Sequence, residues 1–465
     1  MSNIIIMWQC ARNKTACPQG EIMKKALIIF TRVPEAGKTK TRMMPALSPM
    51  ECEELHTAFL KDIKAQAEKS DADIFVCFTP EEGKMKLENI LGQQKEYFPQ
   101  AGENLGVRMH TAIEYVLSMG YEKCLLMGTD VPEIKAEYLA KAFDELDSND
   151  IVYGRTKDGG YYLVGMKKAM KEVFDIPSYG HANVWQDTME HLSRMNLSVG
   201  FTQEMSDMDD ISDLDGYRRR MADDAELKNS ETGRFLDKTP RISVIIPIYN
   251  EEKTIESLMA QREPFKDKCE IIFADGGSRD KTRELMGDRF RVIDTAKGRA
   301  NQMNEAAKVS CGNILFFLHC DSEFPKTFIE EIKDVMKKHR AGCFGIAFHS
   351  WDPTMLVCRV VSNHRIKDRK VMFGDQGIFI ERDLFFEIGM YPSIPIMEDY
   401  QLSLTLKEKK IKLGIAKHRI YTSPRRFGKG FFHKVDVMWK MNRLRKMYRD
   451  GVDIQKISDM YRDIR

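Results

Sequence analysis

Residues 314–318 read Ile-Leu-Phe-Phe-Leu and lead straight into His319-Cys320-Asp321. A continuous apolar run this short suits a strand buried on both faces of a parallel sheet. Ligands of open α/β sheets gather beyond the carboxyl ends of such strands. That placement would hold Asp321 at the mouth of a site. A carboxylate there can hold a divalent ion against a diphosphate, because Mg²⁺ takes one or two carboxylates plus phosphate oxygens. Lys123–Met127 followed by Gly128-Thr129-Asp130 repeats the pattern in the first half of the chain. An ordinary acidic turn is the competing reading for each aspartate.

Other residues could complete such a chemistry. Residues 270–273 are a further strand, ending Ala274-Asp275-Gly276-Gly277-Ser278. A strand-end carboxylate such as Asp275 can accept from the imide or amide edge of a nucleobase, and the glycines let backbone approach the ring. Asp280 suits a helix cap instead. Lys297-Gly298-Arg299 opens a helix, where cations and backbone N–H groups suit a diphosphate. In the first half, Arg32, Lys38, Lys40 and Arg42 put four cations in one loop around Gly37. The glycine spacing is not that of a Walker A loop, and a solvated basic loop is the plainer alternative. Residues 395–400 open a helix with Glu398 and Asp399 in its first turn, where acids usually complement the dipole. Ser423-Pro424-Arg425-Arg426 supplies late cations suited to a leaving diphosphate.

The elements that must position these residues alternate strand and helix, which predicts mainly parallel sheets. Ser48-Pro49-Met50-Glu51 predicts a capped helix start. Asp158-Gly159-Gly160 between two strand-like runs predicts a hairpin. At 465 residues two or three domains are expected. Residues 1–22 read as a disordered leader, 23–217 as a first domain, the polar stretch 218–240 as a linker, and 241–465 as a second domain. A net charge of +2 gives no field for nucleic acid, and no apolar run spans a bilayer. Cys77, Cys124 and Cys343 sit in apolar strands, as reduced cytoplasmic thiols do. Residues 431–448 form a basic amphipathic helix. Its apolar stripe predicts packing on the domain, and a peripheral membrane contact is the alternative.

Gly-Lys-Thr-Lys-Thr-Arg, then Gly-Thr-Asp-Val-Pro, then Asp-Gly-Gly-Tyr-Tyr-Leu-Val-Gly occur in that order over residues 25–217. This half resembles a bacterial family distantly related to molybdenum-cofactor guanylyltransferases and described as glycosyltransferases of arsenosugar biosynthesis. The resemblance implies that Lys38, Lys40 and Arg42 touch nucleotide phosphates and that Asp130 holds the metal. The segment 209–215 only approximates the family's acidic motif, and 178–185 departs from its usual pattern.

In the second half Ile-Pro-x-Tyr-Asn-Glu, Ala-Asp-Gly-Gly-Ser-x-Asp-x-Thr, Gly-Arg-Ala, His-x-Asp, Gly-Asp-Gln-Gly and Met-Glu-Asp follow one another. This ordered set resembles a family 2 glycosyltransferase, of the subgroup that accompanies the first-half family. The resemblance implies two nucleotide-diphospho-sugar transferase domains in tandem, of the GT-A, Rossmann-like α/β class. It implies a nucleotide-sugar donor, inversion at the sugar, and Mg²⁺ or Mn²⁺ on Asp321. It also implies the nucleobase on Asp275, donor contacts from Tyr249, Glu251, Lys297, Arg299, Arg425 and Arg426, and Asp399 as general base. His319 stands where the wider family begins an Asp-x-Asp motif. The acceptor is expected to be a small molecule or a lipid-linked one. A nucleotidyltransferase that makes the donor, or a non-catalytic nucleotide-binding module, is the alternative for the first domain.

Overall fold

Both series of apolar runs fold into β-sheets of one plan. A computed structural model of the chain describes residues 24–462 apart from 45, 177, 178, 180–183, 351 and 423–430. It divides into two compact units between Lys238 and Thr239. In the first unit, β1 (Lys25–Arg32), β2 (Asp73–Thr79), β3 (Glu96–Pro99) and β4 (Lys123–Met127) run parallel. β6 (Tyr161–Met166) lies antiparallel to β4 and to β5 (Ile151–Arg155), and β7 (Val199–Phe201) parallel to β5. The order is β3-β2-β1-β4-β6-β5-β7.

The second unit repeats it. β8 (Ile242–Ile248), β9 (Glu270–Asp275), β10 (Arg291–Asp294) and β11 (Ile314–Phe317) run parallel. β12 (Ser322–Glu323), β13 (Ala341–Phe348), β14 (Ile378–Glu381) and β15 (Leu413–Thr422) complete the order β10-β9-β8-β11-β14-β13-β15-β12. β4 and β11 therefore hold equivalent central positions, each flanked by its unit's first strand and an antiparallel neighbour. All residues of both are buried. That burial explains the apolar runs Cys124–Met127 and Ile314–Phe317. Each sheet has an apolar cluster on either face.

Local signals act as their chemistry predicts. Ser48 caps the helix Pro49–Ala67 in a full capping box with Glu51. Asp158 lies in the turn joining β5 and β6.

The stretch 218–240 is not a linker. The helices Ile211–Arg220, Ala225–Asn229 and Glu231–Lys238 span most of it. Leu236 is buried with Leu55, Phe59, Leu214 and Tyr217. The polar residues read as linker composition are caps and anchors. Asp224 accepts from Glu226 and Leu227 N–H, and Asp62 accepts from Glu231 and Thr232 N–H. The helix Phe431–Arg449 packs as its stripe predicts, with Met441, Leu444 and Tyr448 against Val371, Met397 and Tyr400. No helix among the described residues is long and apolar enough to cross a membrane. The leader 1–22 lies outside the described residues.

Candidate functional site

In the second unit the strand ends open on a cleft of about 1810 Å³. Tyr249, Glu251, Lys297, Arg299, Asp321 and Asp399 all line it. Asp321 follows β11 and is exposed. Lys297 Nζ lies 3.9 Å from the centroid of the Tyr249 ring, a cation–π contact that holds the ammonium over the cleft wall. Glu251 Oε2 accepts from the Thr254 hydroxyl at 2.6 Å. Its Oε1 accepts from the Cys320 thiol at 3.2 Å. Burial, then Glu251, push that thiol up to about 12, so Cys320 is a donor rather than a nucleophile.

Asp399 sits in the first turn of the helix Glu398–Glu408. Its Oδ2 accepts from the Gly374 N–H at 2.8 Å and its Oδ1 from the Tyr400 N–H at 2.7 Å. Both bonds fix the carboxylate in one orientation. Gly374 has no room for a side chain. A Cβ there would lie 2.5 Å from His319 Nε2 and 3.4 Å from Asp399 Oδ2. The loop of Gly374-Asp375-Gln376-Gly377 thus brings His319 and Asp399 together beside one glycine, although they are far apart in sequence.

Glu398 departs from its reading as a dipole-complementing acid. It is buried, and Arg299 Nη1 lies 3.3 Å from its Oε1. Burial, then the Asp399 carboxylate, push Glu398 up to about 7, against the pull of Arg299. Arg299 is therefore committed to a carboxylate within the site.

Asp275 is buried at the end of β9 and holds the following turn. It accepts from the Ser278 N–H at 3.1 Å and the Ser278 hydroxyl at 2.6 Å. It is not among the residues lining the cleft. Gln302 donates to the carbonyls of Ile248 and Ala274, both at 2.8 Å, and so pins the ends of β8 and β9 together. Arg425 and Arg426 lie outside the described residues.

The residues around Asp321 form no ready-made metal cage. Among the described residues no group of three His, Cys, Asp or Glu side chains is placed to hold an ion. One strand-end carboxylate suits an ion that arrives with a diphosphate and keeps other oxygens as ligands.

The equivalent position of the first unit differs. Asp130 follows β4, and Lys40 Nζ lies 2.6 Å from its Oδ1. The same ammonium donates to the Met208 carbonyl at 2.5 Å and lies 3.5 Å from Asp209 Oδ1. Three oxygens from separate segments thus converge on one cation supplied by the chain. Lys40 reaches them from a left-handed backbone conformation, φ 51°. Burial would raise Asp130, but Lys40 above all, with Arg32, brings it below its ordinary value. Burial and Lys40 hold His56 down to about 4, hence neutral.

The rest of the basic loop divides. Lys38 pairs with Glu35 at 2.7 Å, Arg42 lies 3.5 Å from Asp209, and Arg32 is exposed. Asp207 went unnoticed in the sequence. Burial, then Asp158 and Asp209, push it up to about 7.

Comparison with known proteins follows the same division. The family DUF2064, described as an uncharacterized protein conserved in bacteria, matches residues 62–181. Glycosyl transferase family 2 matches residues 243–389. The chain is 32% identical over 103 residues to glycosyltransferase AglE of Haloferax volcanii, covering 20% of this chain and 34% of that one. It spans between 33% and 62% of the length of the curated relatives it matches. A solved structure from Desulfovibrio desulfuricans G20, provisionally described as a nucleotide-diphospho-sugar transferase, is 31% identical. The match covers 46% of this chain and 93% of that one, with a TM-score of 0.44. The mannosyltransferase PcManGT of Pyrobaculum calidifontis, solved with GDP-Man and Mn²⁺, is 19% identical. It covers 48% of this chain and 68% of that one, with a TM-score of 0.34. The DUF2064 match thus falls in the first, and the glycosyl transferase family 2 match in the second, of two tandem α/β units.

Proposed function

We propose that the second unit transfers a sugar from a nucleotide-sugar to an acceptor hydroxyl with inversion, and that Asp399 is its general base. The observation that carries this reading is the Asp399 carboxylate, fixed by the Gly374 and Tyr400 N–H groups in the same cleft as Asp321. A base must be oriented before its basicity matters. Asp399 takes the proton of the acceptor hydroxyl as that oxygen attacks the anomeric carbon. Lys297, over Tyr249, offers charge to the departing diphosphate. Asp321 would hold Mg²⁺ or Mn²⁺, which supplies Lewis-acid stabilisation of that diphosphate. Asp275 and the turn it holds are the proposed nucleobase end. Measurement of nucleoside diphosphate release from a panel of UDP- and GDP-sugars, with Mn²⁺, tests the reading. Near-wild-type transfer by Asp321→Ala would overturn it. The arsenosugar setting implied by resemblance calls for an arsenic-containing riboside among the acceptors tried.

For the first unit we propose nucleotide binding without a metal of its own. The Lys40 ammonium on Asp130 and Asp209 supports this over the expected metal at Asp130. Pyrophosphate release from a nucleoside triphosphate and a sugar 1-phosphate, lost on Asp130→Ala, would instead establish a nucleotidyltransferase.

A lipid-linked acceptor is a second reading for the second unit. Val357, Val360 and Val361 of the helix Pro353–Arg369, and Trp439 of the helix Phe431–Arg449, are 55%, 62%, 46% and 61% exposed. Co-sedimentation with anionic vesicles, lost when these four become serine, tests it.

A further inference from the structure

The cleft carries two arginines that neither the proposed chemistry nor the sequence motifs use. Arg365 comes from the helix Pro353–Arg369 and Arg445 from the helix Phe431–Arg449. Both line the cleft. Both guanidinium carbons face the ring of Phe373, at 4.8 Å and 5.2 Å from its centroid. Phe373 stacks on Tyr400, with centroids 5.9 Å apart and planes 1° from parallel. It also precedes Gly374, whose N–H holds Asp399. The two cations therefore stand one residue away from both contacts that orient the proposed base.

Neither charge is neutralised by a contact of its own. The hydrogen bonds of Arg365 and Arg445 go to neutral groups, the Ser362 hydroxyl at 2.9 Å and the Asn442 side-chain carbonyl at 2.5 Å. Neither forms an ion pair with a carboxylate among the described residues. Arg365 Nε is buried and has no hydrogen-bond partner. Burial pushes both guanidinia below the ordinary arginine range, Arg445 to about 10 with added repulsion from Arg365. Asp375 attracts both and Asp399 attracts Arg445, yet neither carboxylate takes a hydrogen bond from these guanidinia, and Arg365 Nε stays unspent. Two crowded, part-buried guanidinia with donors unspent are costly unless an anion completes them. Arginine forks match the oxygens of phosphate and carboxylate in bidentate fashion.

We infer that Arg365 and Arg445, braced on Phe373, bind an oxyanion carried by the acceptor, a phosphate or a carboxylate, while its hydroxyl meets Asp399. The inference rests on the glycosyl-transfer reading for the word acceptor, though not for the site. The donor elements β8, β9 and the helix Arg299–Val309 lie earlier in the chain. The arginine pair belongs instead to the helices that follow β13 and β15. A neutral acceptor would offer the free guanidinium donors no charged partner in contact, so the subsite discriminates by charge.

Calorimetry on the full chain tests this with glycerol 1-phosphate, glycerol, and phosphatidylcholine vesicles with and without phosphatidic acid. Glycerol 1-phosphate should bind and glycerol should not. Arg365→Gln and Arg445→Gln should each weaken binding by about tenfold, as loss of a charge-assisted contact does. Arg445→Lys should restore part of it and shows that the fold tolerates change there. Arginine-dependent binding of phosphatidic acid vesicles alone would assign the oxyanion to a lipid, and of glycerol 1-phosphate to a soluble acceptor. Equal binding of every probe by wild type and both glutamine variants overturns the inference. UDP and GDP with Mn²⁺ are titrated in parallel. Failure of wild type to bind either counts against glycosyl transfer, while the arginine dependence of phosphate binding stays readable.

Discussion

Replacing Asp399 with asparagine keeps the shape of the side chain and removes its basicity. The carboxylate accepts two backbone N–H bonds, at 2.8 Å from Gly374 and 2.7 Å from Tyr400. An amide has one oxygen, so one of those N–H groups would face an NH₂ group. A hydrogen bond to a charged group contributes about 1.5–3 kcal/mol, which loosens the Gly374 loop without unfolding the unit. A positioned general base contributes about 10²–10⁴-fold, or about 2.7–5.5 kcal/mol of barrier. Asp399→Asn should therefore lower kcat by about 10²–10⁴. Donor affinity should change little, because Asp321 and Lys297 are untouched. The assay is nucleoside diphosphate release by the full chain at saturating donor and acceptor, with donor binding followed by calorimetry. Release within about threefold of wild type, against a barrier change of under about 1 kcal/mol, would refute the assignment. The variant has a second signature. Removing the like charge beside Glu398 should bring that group down from about 7.

Gly374→Ala places a methyl 2.5 Å from His319 Nε2. Overpacking of this kind costs about 1–3 kcal/mol, read as a lowered urea midpoint, and displacement of Asp399 should slow transfer about 10²-fold. Glu398 sets a pH dependence. From 4.5, its ordinary value, to about 7 the native protein keeps a proton that the unfolded chain has released. Its contribution to stability thus falls as pH rises through that window and is level above it. Glu398→Gln should remove that slope from urea titrations across the window. In the first unit, Lys40→Met leaves Asp130 and Asp209 without their shared ammonium. In an Asp321→Ala background it should gain one Mn²⁺ site by calorimetry, and an unchanged stoichiometry would contradict the idea that Lys40 stands in the place of a cation.

What could be read from the sequence was what neighbours in sequence decide. β4 and β11 announced themselves because strands buried on both faces need no alternation. Ser48 and Glu51 announced a helix because a capping box is a four-residue device. Contacts between distant segments left no such trace. Lys40 meets Asp130 across 90 positions, from a left-handed backbone conformation in a loop. Glu398 read as a dipole-complementing acid because a first-turn position says nothing about the depth of the cleft around it. The arginine pair belongs to two helices whose sequences are basic elsewhere too. Misreading 218–240 had a local cause. Asp224 and Ser230 are polar because they tie off helix ends, and composition does not distinguish a cap from a linker.

The shared strand order has a bearing on synthesis. A chain that encodes the same sheet plan twice could seed the second sheet on strands of the first, and such exchange is a typical failure of tandem domains. The helices Ile211–Arg220, Ala225–Asn229 and Glu231–Lys238 lie between the two plans in the order of emergence. They pack on the helix Pro49–Ala67, from near the start of the first unit. Lys238 ends the last of these helices, and β8 follows after only residues 239–241. The stretch that resembled a tether thus completes a helical cluster of the first unit before the second sheet begins in the sequence. Leu236→Asp should loosen that cluster, and refolding yield should then fall as chain concentration rises.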